Sequence, residues 1–457
     1  MANRILIKNG SIITVDKSIG DLPKGDLLIE DGKIVTVKPE ISASDAEIVD
    51  ASGMIVMPGF VDTHRHMWEA LIRGIGTDWS LVTYLTIIYF MNPSLGGALR
   101  PEDAYVANLL GALEALDAGV TTTLDWSMCN SPEHADELVR GLKDSGARAV
   151  FGHGTPLRGA GDYWSMESQL THPEDARRVR KQHFQSDDQL VTMALAIRGA
   201  EFSNLDVARR DIEMARDLSV IASMHVGVGI NGQVRSIEKL KKADLLGPDL
   251  NFVHCTHMKD DEVKMIGDSG GSVSATPEVE TQMGHGFPVI GKVLNAGFRP
   301  TLGVDVVVST GGDMFSQMKF GLQLPRGFVN EPILARGEMP LQLSPLSTRD
   351  VLEFATIEGA RALHLDHKVG SLTPGKDADV IMIRTTDVNM FPANNPLMAV
   401  LCANTGNVDS VFVAGKAVKR HGKLVNVDVE KVRKTALSSR DYVFSTWGLP
   451  EGAAPVD

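Results

Sequence analysis

The stretch Pro58-Gly59-Phe60-Val61-Asp62-Thr63-His64-Arg65-His66 sets two histidines one residue apart at the end of an apolar run. Residues 54–61 are apolar, β-branched or small, which predicts a buried strand. Side chains two positions apart in a strand point to the same face, so His64 and His66 can bind one metal ion. Taken alone, the same spacing is more common among surface histidines or hydrogen-bonded core histidines. The rest of the chain must therefore decide between these interpretations.

Composition limits the classes of protein to which the chain can belong. Its 457 residues are 43% apolar and 23% charged, which is typical of a globular enzyme with a large core. A net charge of -13 disfavours a nucleic-acid partner and favours a small neutral or cationic substrate. Cys129, Cys255 and Cys402 are too scattered for a disulfide framework, so a reducing cytoplasm is expected. The sequence contains no export signal and no membrane-spanning run, so no membrane partner is expected.

The chain divides into two β-rich ends and a central part in which strand-like and helix-like segments alternate. Short alternating runs separated by Asn-Gly, Asp-Gly and Ser-Gly pairs predict antiparallel strands before residue 54, and a similar texture returns near the C-terminus. Eight central strands are predicted at residues 55–62, 120–125, 148–153, 190–197, 220–225, 251–254, 272–275 and 299–304. Strands that alternate with helices indicate an α/β fold with a parallel sheet.

The motif PGFVDTHRH, after a Gly-punctuated N-terminal segment, resembles the signature of the amidohydrolase superfamily, and the likeness extends over nearly the whole chain. Within that superfamily the chain is most similar to the branch of cytosine deaminase, guanine deaminase and triazine hydrolases, the last being chlorohydrolase-like. The resemblance implies a (β/α)8 TIM barrel with a small β-sandwich domain formed by the two ends. The expected bounds are 1–55 and 367–457 for the sandwich and 56–366 for the barrel. A homodimer or larger homo-oligomer is also implied.

In such a barrel the functional groups follow the C-terminal ends of the strands. The titratable residues at those positions are His64, His66, His225, His254 and Asp305. By resemblance, His64, His66, His225 and Asp305 are the ligands of one divalent metal ion per chain. Zinc suits this donor set best, with iron or manganese as alternatives. His254 would then hydrogen-bond the activated water or the developing oxyanion, and Asp305 would act as general base and then acid.

The chain departs from the resembling deaminases after the fifth strand and at the seventh strand, which reads Ser274-Ala275-Thr276-Pro277 where the family often has Ser-His-Asn-Pro. These enzymes usually carry a glutamate three residues after the fifth-strand histidine, and here that residue is Val228. Glu278 and Glu280 follow the seventh strand and could supply a displaced carboxylate. Glu278 is the better placed by sequence and is expected to be catalytic, whereas Glu280 is more typical of a solvated helix start.

Two long segments, residues 67–100 and 155–188, would lie over the mouth of the barrel and could wall a substrate pocket. The first is rich in aromatic and sulfur-containing residues, namely Met67, Trp68, Trp79, Tyr84, Tyr89, Phe90 and Met91. Such residues are often ordinary core. Trp68 and Trp79 are the candidates for contact with a ring-bearing substrate.

Three more residues are candidates for substrate binding. The fourth strand ends in Arg198 instead of the lysine that bridges two metals in some relatives, so a single ion is expected. Arg198 could orient a substrate carbonyl or carboxylate, or form an ion pair at the barrel mouth. His153 and His285 could also reach the pocket.

Together these features predict a metal-dependent hydrolase that cleaves a non-peptide C–N bond in a small, cyclic or aromatic substrate, as an aminohydrolase (deaminase) or amidohydrolase. The missing glutamate leaves open amide, urea or carbamate hydrolysis and triazine-type dehalogenation. A barrel that binds a ligand without turnover is a third interpretation.

The run Gly227-Val228-Gly229-Ile230-Asn231-Gly232 spells the dinucleotide motif GxGxxG. The next strand-like run ends in His254 and Cys255 instead of the acidic residue that binds the ribose, which disfavours a dinucleotide site.

Overall fold

The computed structural model describes residues 4–91, 94–341 and 346–448. Its first five strands belong to a mixed sheet, which we call the terminal sheet: β1 (Arg4–Ile12), β2 (Leu22–Glu30), β3 (Lys33–Lys38), β4 (Glu47–Asp50) and β5 (Met54–Pro58). β1 pairs antiparallel with β2 and parallel with β4 and β5. Asp31 and Gly32 have φ angles of 49° and 80°, as the tight hairpin between β2 and β3 requires.

The next eight strands form a parallel barrel: β6 (Phe60–Arg65), β7 (Val120–Trp126), β8 (Arg148–His153), β9 (Val191–Ala196), β10 (Ile221–Val226), β11 (Leu250–His254), β12 (Ser272–Ala275) and β13 (Thr301–Leu302). Each pairs with its neighbour in chain order. The first and last strands meet beyond β13, where the Asp305 amide donates to the His64 carbonyl at 2.8 Å and the His66 amide donates to the Asp305 carbonyl at 2.9 Å. The predicted (β/α)8 barrel is therefore confirmed.

The sequence prediction of one strand over residues 55–62 was wrong. The structure divides this run at Gly59 into β5, which belongs to the terminal sheet, and β6, which opens the barrel. A Cβ atom at Gly59 would lie 2.2 Å from the Thr121 side chain, so only glycine fits where the chain changes sheets. Both strands are buried, so one continuous apolar run gave no sign of the division. The eighth strand is likewise shorter than predicted, since β13 covers only Thr301–Leu302.

Helices connect the barrel strands, and further helices follow the last barrel strand. The α-helices are α1 (Leu81–Leu85), α2 (Pro101–Asp117), α3 (Pro132–Ser145), α4 (Ala160–Tyr163), α5 (Asp175–His183), α6 (Gly199–Phe202), α7 (Leu205–Asp217), α8 (Ser236–Lys242), α9 (Asp260–Ser269), α10 (Pro277–Gln282), α11 (Ile290–Asn295), α12 (Met314–Leu334), α13 (Thr348–Phe354), α14 (Ile357–Ala362), α15 (Ala399–Cys402) and α16 (Val429–Trp447). α3 illustrates how the sequence fixes their ends. Ser131 caps its N-terminus, Pro132 opens it, and Gly146 ends it with a φ of 76°.

The C-terminal part returns to the terminal sheet with β14 (Val380–Arg384), β15 (Val408–Val413), β16 (Lys416–Arg420) and β17 (Lys423–Leu424). β14 pairs antiparallel with β5 along its whole length, so the two ends of the chain share one sheet of nine strands. Arg148, at the start of β8, joins this sheet to the barrel. Its guanidinium donates to Asp377 at 2.8 Å and to Asp379 at 3.1 Å.

Within the described ranges, each helix is too short or too polar to span a lipid bilayer.

Candidate active site

A cluster of four histidines and one aspartate lies at the carboxyl ends of β6, β10, β11 and β13. We call His64, His66, His225, His254 and Asp305 the His/Asp cluster. His254 ends β11 and Asp305 follows β13, and each has a φ of 70°, a left-handed conformation that is rare outside glycine. Strain of this kind is typical of functional sites, where the surrounding fold holds side chains in place.

The side chains of the His/Asp cluster converge on Asp305. Its Oδ1 lies 3.1 Å from His64 Nε2 and 3.3 Å from His66 Nε2. Its Oδ2 lies 3.7 Å from His254 Nε2, and His225 Nε2 lies 3.2 Å from His64 Nε2. Donor atoms of His64, His225, His254 and Asp305 all lie within 4.8 Å of one another, while His66 contributes through its contact with Asp305. The predicted ligands therefore lie close together, and His254 shares the 4.8 Å group with His64, His225 and Asp305.

The donor chemistry of the cluster fits a divalent cation. Imidazole nitrogens and a carboxylate oxygen lie close enough together to hold one ion. Burial lowers the pKa of His66 to about 3 and that of His225 well below its ordinary value. Burial alone would raise the pKa of Asp305, but the neighbouring histidines hold that pKa well below its ordinary value. Neutral imidazoles and an ionised carboxylate are the protonation states that metal binding requires.

A second carboxylate, that of Glu280, contacts the His254 ring at the nitrogen opposite to the one that faces Asp305. His254 Nδ1 lies 3.0 Å from Thr276 Oγ1 and 3.4 Å from Glu280 Oε1, and Glu280 also accepts the Thr276 amide at 2.9 Å. Burial alone lowers the pKa of an imidazole, but Glu280 and Asp305 together raise the pKa of His254 above its ordinary value. Glu280 is fully buried, in contrast to the solvated helix start that the sequence suggested.

Glu278, expected from the sequence to be catalytic, has its contacts elsewhere. Its carboxylate accepts from Gln317 Nε2 at 2.9 Å and from the Gly311 amide at 3.3 Å. Both glutamates lie on α10, where positions two apart point about 200° away from each other. Only one of them can face the strand ends, and that residue is Glu280. Burial raises the pKa of Glu278 to about 7.

A cavity of ≈ 100 Å³ opens beside the His/Asp cluster. Apart from cluster members it is lined by Leu81, Tyr84, Leu85, Tyr89, Phe90, Trp164, Phe202, Val228, Asn231 and His285. Both long segments contribute, the first through residues 81–90 and the second through Trp164. The Trp164 ring lies 5.8 Å from Tyr89 and 5.4 Å from Phe202. The cavity therefore has an aromatic wall facing the cluster, which suits a planar ring.

Neither tryptophan predicted to contact substrate lines this cavity. Trp68 is buried in the turn after β6, with its ring 6.3 Å from that of His66. Trp79 packs against Gly76 and the apolar core. The aromatic segment was identified in the sequence, but Tyr84, Tyr89 and Phe90 are its cavity-lining members. Trp164 was missed, because an isolated tryptophan in a loop carries no periodic signal.

Arg198 and His153 also lie away from the cavity. Arg198 is fully buried, and its guanidinium donates to the carbonyls of Tyr163 and Leu170 and to Asp211 Oδ2 at 3.3 Å. It thereby holds the second long segment in place.

His153 Nδ1 lies 3.0 Å from His172 Nε2, again on that segment. His285, in contrast, does line the cavity. Its ring lies 4.9 Å from that of His254, and both of its nitrogens are buried without a partner.

One further carboxylate was missed by the sequence analysis. Glu69, three residues after His66, is fully buried and accepts the Tyr84 hydroxyl at 2.5 Å. Burial raises its pKa well above the ordinary value. The sequence feature that indicates Glu69 is its position as a charged residue within the apolar run Met67–Ile72.

Comparison with known proteins places these features in one family. A sequence model described as the amidohydrolase family matches residues 55–418. A 5'-deoxyadenosine deaminase of Methanothermobacter thermautotrophicus is 28% identical, covering 94% of this chain and 97% of its own. A 5-methylthioadenosine/S-adenosylhomocysteine deaminase of Acetivibrio thermocellus is 27% identical, with coverage of 94% and 97%.

Solved structures show the same fold. A zinc-bound adenosine deaminase from Xanthomonas campestris superposes with a TM-score of 0.83 at 22% identity, covering 96% of this chain and 98% of its own. An atrazine chlorohydrolase from Arthrobacter aurescens, in complex with zinc, gives a TM-score of 0.82 at 21% identity, covering 95% and 100%. Because the family match spans most of the sequence, this chain belongs to the amidohydrolase family and is a metal-dependent hydrolase of a non-peptide C–N bond in a small molecule.

Proposed function

We propose that this protein is a zinc-dependent aminohydrolase that releases ammonia from an amino-substituted nitrogen heterocycle of the adenine nucleoside type. The observation that carries this proposal is the aromatic cavity that opens directly on the His/Asp cluster. A planar heterocycle between Tyr89, Trp164 and Phe202 would face Asp305 with one of its edges. The names of the two deaminase relatives support the same substrate class.

The metal would be held by His64, His66, His225 and Asp305, as one ion per chain. When bound, zinc lowers the pKa of water from about 15.7 towards 7. Asp305 takes a proton from the attacking water and delivers it to the leaving nitrogen, so it acts as base and then as acid. His254, oriented by Glu280, donates a hydrogen bond to the oxygen that becomes attached to the substrate.

A second candidate function follows from Val228. It is buried, lines the cavity, and replaces the carboxylate that the resembling deaminases carry. A reaction without ring protonation, such as amide, urea or carbamate hydrolysis or chloride displacement from a triazine, does not need that carboxylate. The leaving group distinguishes this alternative from deamination.

The test is a product assay on protein whose metal content has been measured by elemental mass spectrometry. The panel contains 5'-deoxyadenosine, 5-methylthioadenosine, aryl amides, phenylurea and chlorotriazines, with release of ammonia, amine and chloride followed separately. We expect about one zinc per chain and ammonia from the adenine nucleosides. Amine or chloride release alone would favour the second candidate, and zinc-loaded protein inactive on the whole panel would contradict both.

Four further properties are proposed. The protein works in the cytoplasm, a compartment in which its cysteines Cys129, Cys255 and Cys402 stay unpaired. It assembles as a homo-oligomer and has no nucleic-acid partner, and its sandwich and barrel domains divide near residues 55 and 367. Light scattering and limited proteolysis test the assembly and the domain bounds.

A further inference from the structure

Glu69 and Tyr84 form a buried pair at the edge of the active-site cavity. Glu69 is fully buried, and its Oε1 accepts the Tyr84 hydroxyl at 2.5 Å. Its Oε2 is also buried and has no hydrogen-bond partner. Tyr84 lines the cavity together with Val228 and Asp305. A polar pair that reaches from the protein interior to the reacting region has no evident structural purpose among apolar neighbours.

The proposed deamination needs a proton donor that the His/Asp cluster does not supply. Attack at the amino-bearing carbon of a heterocycle places charge on the adjacent ring nitrogen, which must be protonated. Val228 stands where related deaminases carry a carboxylate, and an isopropyl group cannot donate a proton. Asp305 is committed to the water proton and the leaving nitrogen. A separate acid is therefore required at the cavity wall.

We propose that Glu69 and Tyr84 are a proton relay that protonates the substrate ring nitrogen in place of the carboxylate missing at position 228. This inference rests on the proposed deaminase function. Tyr84 is the member that contacts substrate, and Glu69 acts through it. A protonated Glu69 donates to the Tyr84 oxygen, which frees the Tyr84 hydroxyl to donate to the ring nitrogen.

The surroundings favour a neutral Glu69. Burial raises its pKa well above the ordinary value, and the hydrogen bond from Tyr84 opposes this in part. The Tyr89 ring lies 5.9 Å from the Tyr84 ring and continues the wall of the cavity beside it. A carboxylic acid that remains protonated at neutral pH can donate a proton, as a general acid must.

The protons balance over one turnover. The Tyr84 proton moves to the ring nitrogen, where it remains in the product lactam, and the Glu69 proton moves to Tyr84. Of the two protons of the consumed water, Asp305 carries one to the departing ammonia. The other leaves the new carbonyl oxygen as the C–N bond breaks and returns through Tyr84 to Glu69.

The experiment compares wild type with Glu69→Gln and Tyr84→Phe, each of which keeps the shape of the side chain. Glu262→Gln is the matched control, because Glu262 is also a buried carboxylate but caps α8 through the Ile237 and Glu238 amides. We expect kcat for ammonia release to fall about 10²-fold or more in both relay variants. Metal content, KM and the activity of the control should change by less than about threefold.

A second measurement reports the Glu69 proton directly and does not depend on activity. Infrared spectra of metal-loaded protein labelled with ¹³C-glutamate are recorded at about pH 9, where buried carboxyls with a pKa near 7, such as Glu201 and Glu278, are ionised. We expect a protonated carboxyl band in wild type and Tyr84→Phe that is absent from Glu69→Gln.

The outcomes separate the two proposals. If wild type releases ammonia but the variants keep kcat within about threefold, or the band is absent, the relay is overturned and the deaminase proposal stands. If zinc-loaded wild type releases no ammonia from any nucleoside, the proposed function fails, and the relay fails with it even if the band is present.

Discussion

The strand ends of the barrel and the two long segments over its mouth fix their side chains in different ways. His64, His225 and His254 lie on or at the end of paired strands, so the register of the barrel sets their separation. Tyr89 and Trp164 lie on short helical turns, held by contacts such as those of Arg198 with the second segment. The positions of the reactive groups are thus set by the strand register of the barrel, while the walls of the cavity are set by contacts of the two long segments.

The largest loss of activity is expected when a side chain at a strand end is changed. Asp305→Asn removes both a proposed metal ligand and the proposed general base, so kcat should fall by at least about 10³-fold and bound zinc should decrease. Steady-state kinetics and elemental analysis measure the two effects, with circular dichroism as a control for folding. A variant that retained full metal and activity within about tenfold of wild type would remove Asp305 from the site.

A smaller loss of kcat is expected when Glu280, which contacts His254 but is not itself in the His/Asp cluster, is changed. Glu280→Gln keeps the shape of the side chain but weakens the hold on the His254 ring, which should lower kcat by about 10- to 100-fold while zinc stays bound. Measurements of kcat and of bound zinc on the same preparation check both expectations. Loss of zinc would instead indicate that His254 is a primary ligand, as its position within the 4.8 Å group allows.

Substitutions in the two long segments over the barrel mouth should affect substrate selectivity more than the catalytic step. Trp164→Phe keeps an aromatic ring but reduces the contact area with Tyr89 and Phe202, so kcat/KM for ring substrates should fall about 3- to 10-fold. Metal content should not change. Titration with a product nucleoside checks the affinity, and an equal loss for ring and non-ring substrates would argue against stacking.

The smallest effect on activity is expected for Glu278, whose contacts lie outside the cavity, although its substitution should change stability. Its pKa is raised from 4.5 to about 7, so the folded state binds more protons than the unfolded state in this range. Stability therefore falls as pH rises from 4.5 through about 7. Glu278→Gln should be more stable than wild type at about pH 8 by up to about 3 kcal/mol, and close to it at about pH 5, with kcat nearly unchanged. Urea unfolding at the two pH values measures the difference, and a large loss of activity would return Glu278 to the site.

The α/β class could be predicted from the alternation of strands and helices, which is a local pattern. The barrel and the metal ligands of the His/Asp cluster were implied by the resemblance to the amidohydrolase superfamily, and the positions of these residues after predicted strands agreed with it. The switch of sheets at Gly59 was hidden, since both strands are equally apolar. The choice between Glu278 and Glu280 depended on the rotation of a single helix turn. The Tyr163 and Leu170 carbonyls that contact Arg198 and the His172 ring beside His153 lie on a segment without periodicity. Such tertiary contacts leave no trace in the residues themselves.

Gly59 also limits how this protein can be divided. A single residue separates β5, which pairs with β14 and β1, from β6, which carries His64 and leads directly into His66. A shortened chain ending before residue 380 would therefore leave β5 an exposed edge strand beside the first barrel strand, with Met57 and its apolar neighbours open to water. An isolated catalytic barrel should aggregate unless it keeps this C-terminal strand, so engineering of the active site must carry the terminal sheet with it.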